Sequence, residues 1–253
     1  MTRRLLLVLF VAALTARTAR GDDFNADYAT CSCGGDRVSS EEARAWSKAN
    51  GYATTNPNSF CAPTAVTNLD ISLGETGGDS PDELQKKLTE CLKGNGFLND
   101  CGVCSIIDNE RNASLICDCN EKVRNKKFKC RGWDIDSSSE GALDELTDAL
   151  ADGCAAVCME HWSDGSGHVV TVTGATDDSI TIVEPNGGSY TLSVDPANGQ
   201  VGKPDEPYMK RLAAAGLSNV TIKLTGCVVK CLPGQANFLN FHSQNGGSLH
   251  FSQ

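Results

Sequence analysis

Cys61 and His168 are the residues whose surroundings could build a nucleophile. Cys61 stands in Phe60-Cys61-Ala62-Pro63-Thr64-Ala65-Val66, and His168 in Gly167-His168-Val169-Val170-Thr171-Val172-Thr173-Gly174. The first segment reads as a thiol at the mouth of a helix. Pro63 suits a first turn, where its missing N–H costs nothing. Val66, Leu69 and Leu73 continue one apolar face until Gly74. The second segment reads as an imidazole opening a buried strand. A thiol is a weak nucleophile at neutral pH, and a neighbouring imidazole can hold it as the thiolate. Cys followed by His is the order a cysteine hydrolase would use.

Parity points to the same residue. The chain has 13 cysteines among 253 residues, far too many for a reduced cytosolic protein, and in an oxidising compartment they should pair. Twelve come mostly in close sets: Cys31 and Cys33; Cys91, Cys101, Cys104, Cys117, Cys119 and Cys130; Cys154 and Cys158; Cys227 and Cys231. Cys61 has no near companion, so it is the expected spare thiol. Residues 91–130 read as a cysteine-rich insertion with little apolar periodicity, held by three disulfides. Cys101-x-x-Cys104 and Cys117-x-Cys119 also resemble zinc-ligand pairs, but disulfides suit an exported chain better, and no metal is expected.

Export is expected from the N-terminus. Arg3 and Arg4 precede an apolar run from Leu5 to Leu14, and Ala19-Arg20-Gly21 offers a small-x-small cleavage site. This predicts a signal peptide over 1–21, a single domain over 22–253 and a secreted product. Losing the leader removes four arginines and no acid, so the net charge of −10 becomes more negative still. Such a balance argues against nucleic acid and anionic membrane as partners and would attract basic peptides, or it simply confers solubility. Asn112 and Asn219 head glycosylation triplets. Oligomeric state is not legible.

These residues need elements to position them. A helix is expected from Ser40 to Ala49, with Gly51 as its stop. Asn56-Pro57-Asn58-Ser59 is turn chemistry leading into the Cys61 helix. Leu143, Leu146 and Leu150 mark a helix ending at Gly153. Strand-like runs follow at 154–162, 168–175, 179–184 and 189–194, joined at Asp177-Asp178 and Asn186-Gly187-Gly188 by hairpin turns. A helix-prone run near Glu206–Ala215 and a strand around Val220–Cys231 fall in a C-terminal extension, 199–253. His161, His242 and His250 have no supporting context and read as surface or packing residues.

In this order, Cys-Ala-Pro-Thr-Ala on a helix, Gly-His-Val-Val-Thr-Val-Thr-Gly and then Ile-Val-Glu-Pro-Asn-Gly-Gly, the chain resembles the bacteriocin-processing, double-glycine-leader peptidases of the papain-like group. The resemblance covers roughly 51–73 and 140–194. It implies an α+β papain-like fold, with a helix carrying the Cys packed on an antiparallel sheet carrying the His. It implies Cys61 as nucleophile, His168 as base, a peptide or protein substrate and no cofactor. The family's orienting Asp of an Asp-Pro pair is replaced by Glu184-Pro185, with Asn186 as the alternative orienter. Its Gln before the nucleophile, an oxyanion-hole donor, has no counterpart nearer than Asn56. Loss of such a donor costs roughly 10²–10³ in rate. A secreted peptidase is therefore expected. The alternatives are a weak or inactive binding protein on the same scaffold, and a thioester-forming amidase or acyltransferase.

Overall fold

The computed structural model describes residues 40–55, 61–96, 109–134, 143–195 and 197–235. The leader, Cys31, Cys33, Asn56, Cys101, Cys104, His242 and His250 lie outside the described residues. The described chain is a mixed α+β structure with one antiparallel sheet and four disulfides.

Its helices are α1 Glu41–Ala49, α2 Cys61–Ser72, α3 Pro81–Gly94, α4 Asn109–Arg124, α5 Asp144–Ala151 and α6 Pro207–Ala214. Its strands are β1 Lys129–Asp134, β2 Ala155–Trp162, β3 Gly167–Thr176, β4 Ser179–Val183, β5 Ser189–Ser193, β6 Gln200–Val201 and β7 Ile222–Cys231. The strand order is β1-β7-β2-β3-β4-β5, with β6 also paired to β7. Val194 bridges Val201, and Val201 pairs Ile222, so the sheet curls back through β6 toward its own middle.

Side-chain alternation along β2 and β3 divides the interior. Ala156, Cys158, Val170 and Val172 face an apolar core with Ile180, Ile182, Leu192 and Val201. Ala155, Val157, Met159 and Val169 face a second core made with α2, α3 and α4. Strand residues one apart point to opposite faces, so each core takes every second residue.

Two expectations change here. Among its described residues, the stretch 91–130 read as a cysteine-rich insertion is built of regular elements. It holds the end of α3, all of α4 and the start of β1, and it fills the second core with Cys91, Leu92, Ala113, Ile116 and Cys119. Ser80 and Glu83 form a capping box at the start of α3, and Leu84, Leu88 and Leu92 line its buried face. Nor is the last part an appendage, since β7 lies between β1 and β2 and pairs with both.

The cysteines pair across elements. Cys91 joins Cys119, and Cys117 joins Cys130. The close sets Cys154/Cys158 and Cys227/Cys231 bridge to each other, as Cys154–Cys231 and Cys158–Cys227, because β2 and β7 run antiparallel with Cys158 and Cys227 directly opposite. Four disulfides indicate an oxidising environment. Among the described residues no helix is long and apolar enough to cross a membrane.

Candidate active site

Cys61 is the first residue of α2, partly accessible, and the free cysteine among the described residues. The helix behind it is almost wholly buried from Ala62 to Asp70. A buried helix with so many polar residues needs partners for them. Asn68 accepts from the Ala53 N–H at 2.9 Å, Gln85 Nε2 donates to Thr64 at 2.6 Å, and Thr171 Oγ1 donates to the Ala65 carbonyl at 2.8 Å. These bonds fix the thiol's helix against β3 and the chain ahead of it.

His168 is the second residue of β3 and shares its face with Val170 and Val172, at the end of the sheet that meets the start of α2. Its Nε2 lies 2.6 Å from Glu184 Oε1, and its ring hydrogen-bonds the Cys61 sulfur. Burial pushes the imidazole toward its neutral form. The hydrogen bonds to Cys61 and Glu184, and the negative charge on both, outweigh that and hold its pKa well above the ordinary 6.5.

Glu184 follows β4 directly and is fully buried. Asn186 holds it from two sides, with its N–H donating to Oε2 at 3.0 Å and its Nδ2 to Oε1 at 3.1 Å. The two orienting candidates thus take different places: Glu184 meets the imidazole, and Asn186 braces Glu184. The turn is pressed against α1. The Gly188 N–H donates to Ser47 Oγ at 2.8 Å, and the Thr55 N–H to the Pro185 carbonyl at 2.7 Å. Gly187 has φ 108°, and a Cβ there would lie 2.4 Å from the Ala43 carbonyl carbon. Only glycine permits this approach of turn to helix.

Sequence reasoning passed over a second buried carboxyl. Glu160 is fully buried opposite His168 across the β2–β3 ladder, beside a β-bulge at Met159/Glu160. Trp162 Nε1 and the Tyr208 hydroxyl donate to its Oε2 at 2.9 and 3.2 Å. Burial raises its pKa from the usual glutamate value, opposed by the nearby His168 charge and the Trp162 bond. The Trp162 ring lies 5.9 Å from the His168 ring, tilted against it by 54°. The only sequence signal was an acid inside an apolar strand.

Other candidates fall away from this cluster. Of the two glycosylation candidates, Asn112 is buried within α4, whereas Asn219 is exposed in a turn. Cys117 and Cys119 go to different disulfide partners rather than to a shared metal.

No family model matches the chain. No curated protein matches it. Among solved structures it is similar to the Pseudomonas avirulence protein AvrPphB, with 10% identity over 73% of this chain and 99% of the other, at a TM-score of 0.33. That likeness is too slight to carry a fold or an activity across.

Proposed function

We propose that the protein is a secreted cysteine peptidase of papain-like build, with Cys61 as nucleophile, His168 as acid and base, and Glu184 as the residue that orients the imidazole. One observation carries this reading: an unbridged thiol at a helix start, in a chain dense with disulfides, hydrogen-bonded to an imidazole that a buried carboxylate holds from behind. The thiolate attacks a peptide carbonyl. The protonated His168 then gives its proton to the leaving amine, and as the neutral base it activates water to hydrolyse the thioester. The first-turn amides of α2, with the helix dipole behind them, are the donors available to the oxyanion. The Gly-His-Val-Val segment with its Glu-Pro turn supports kinship with the double-glycine-leader peptidases. The acidic surface favours basic peptides as substrates.

The test is alkylation of the purified, disulfide-intact protein with an electrophilic thiol probe, read by peptide mapping, beside an assay on a peptide library. One fast-reacting cysteine at position 61 is expected, with labelling and hydrolysis both lost in Cys61→Ser. Slow labelling indistinguishable from that of a denatured thiol would overturn the proposal.

A further inference from the structure

Along α2 from Cys61, three polar side chains meet in the interior, shut off from solvent. Lys230 of β7, Asp70 of α2 and Asn120 of α4 are each fully buried. Lys230 Nζ donates to Asp70 Oδ1 and, at 2.7 Å, to Asn120 Oδ1. The Phe128 ring closes the remaining side, its centroid 3.6 Å from Nζ. Asn120 Nδ2 donates to the Ile116 carbonyl at 2.7 Å, which fixes the plane of the amide and turns its carbonyl toward the lysine. A carbonyl bond is about 1.2 Å long, so with Nζ 2.7 Å from Oδ1 the Asn120 Cγ lies no more than about 3.9 Å from Nζ. Asp70 Oδ2 has no hydrogen-bond partner among the described residues, an unusual state for a buried carboxyl oxygen.

We propose that Lys230 and Asn120 join in an intramolecular isopeptide bond, with Asp70 as the proton shuttle. The uncharged Nζ attacks Asn120 Cγ, and the C–Nδ2 bond breaks as the new C–Nζ bond forms. Asp70 gives its proton to the departing Nδ2 and takes one from Nζ, so the carboxyl is regenerated. One ammonia leaves for each amide made. Nothing is oxidised or reduced, and no co-reactant is needed.

An amide is a poor electrophile, and the fold compensates by holding nucleophile and carbonyl in contact, where effective concentrations reach about 10⁵–10⁸ M. Protonation favours the step as well. Burial raises the pKa of Asp70 and lowers that of Lys230, against the attraction between them and with smaller effects from Arg124 and Glu75. Both groups are thereby moved toward the forms the reaction uses. The link would tie α4 to β7, which no disulfide among the described residues joins. It sits beside two that end nearby, since Asn120 follows Cys119 and Lys230 precedes Cys231.

The experiment is peptide mapping of the purified full chain after complete reduction, alkylation and tryptic digestion. The expected product is a branched peptide joining the Asn120 and Lys230 segments, lighter than their sum by one ammonia and uncut after Lys230. Lys230→Met and Asp70→Ala should yield only unlinked segments, and Cys61→Ser should keep the link, since it does not depend on the peptidase site. Linear peptides bearing free Lys230 and Asn120 throughout the wild-type digest would overturn the proposal. So would a link to Asp70 with loss of water. The wild-type digest decides the matter even where a variant fails to fold.

Discussion

Replacing Glu184 by glutamine exchanges one oxygen for an NH2 group in a pocket that offers only donors. The carboxylate accepts from His168 Nε2 at 2.6 Å, from Asn186 Nδ2 at 3.1 Å and from the Asn186 N–H at 3.0 Å. A glutamine with its oxygen toward His168 keeps the first two bonds and sets its own N–H against the Asn186 N–H. Turned the other way, it faces two donors. The better orientation strands a buried N–H, at about 1–3 kcal/mol, and weakens a charge-assisted bond to roughly half its strength. A loss of about 2–4 kcal/mol follows. Its pH dependence has a definite sign. The folded pKa of His168 lies above the unfolded 6.5, so the stability it draws from Glu184 is fully present below 6.5. That stability is lost as pH rises through the raised value. Urea unfolding across pH should show the widest gap between wild type and E184Q on the neutral and acid side, narrowing in alkali. The alkaline limb of kcat/KM, which reports loss of the imidazolium proton, should move down toward 6.5, and turnover should fall about 10²-fold or more. A gap below about 0.5 kcal/mol, the size expected of an uninvolved surface change, with an unmoved alkaline limb would refute the orienting role.

The Glu184 turn also depends on its seat against α1. Gly187→Ala puts a Cβ 2.4 Å from the Ala43 backbone at a positive φ; a cost of at least about 1–3 kcal/mol and a drop in kcat/KM should appear together in denaturation and peptide-hydrolysis assays. Ser47→Ala removes the acceptor for the buried Gly188 N–H, which should lower the unfolding free energy by about 1–3 kcal/mol. Glycopeptide mapping should find any N-linked sugar at the exposed Asn219 and none at Asn112, which is 5% exposed in α4.

The sheet was legible because its signals are local. His168–Ala175 and Ser179–Glu184 flank the Asp177-Asp178 turn, and the observed β3 is one residue longer at each end while β4 stops one residue earlier. The Cys61 helix was legible from Pro63 and its apolar spacing. Helices α3 and α4 were not, because six cysteines drew attention to cross-links and away from Leu84, Leu88 and Leu92 at helical spacing behind a capping box. Disulfide pairing was illegible for a different reason. Cys154 and Cys158 are near each other in sequence, yet their partners come from β7, through a register that no local pattern encodes. The meeting of Cys61 with His168 was inferred from their flanking segments, cysteine parity and order along the chain, while the Asn186 brace and the neighbouring Glu160 arise only from tertiary packing.

The candidate site lies on the seam between the two cores, and that placement has a consequence for how it is held. Cys61 comes with the helical core, and His168 and Glu184 with the face of the sheet that builds the other. None of the four disulfides involves α2. What fixes the thiol relative to the imidazole is instead a set of polar ties: Thr171 to Ala65 between β3 and α2, Thr55 to Pro185 between the approach to α2 and the glutamate turn, and Lys230 to Asp70 between β7 and α2. Hydrogen bonds have directions and short reach, so they set position more finely than apolar contact does. A cystine involving Cys61 would consume the thiol that the chemistry needs. Leaving α2 without a disulfide while stapling the elements around it keeps the sulfur free in a setting that oxidises its neighbours, and the imidazole beside it gives that sulfur a partner other than another cysteine.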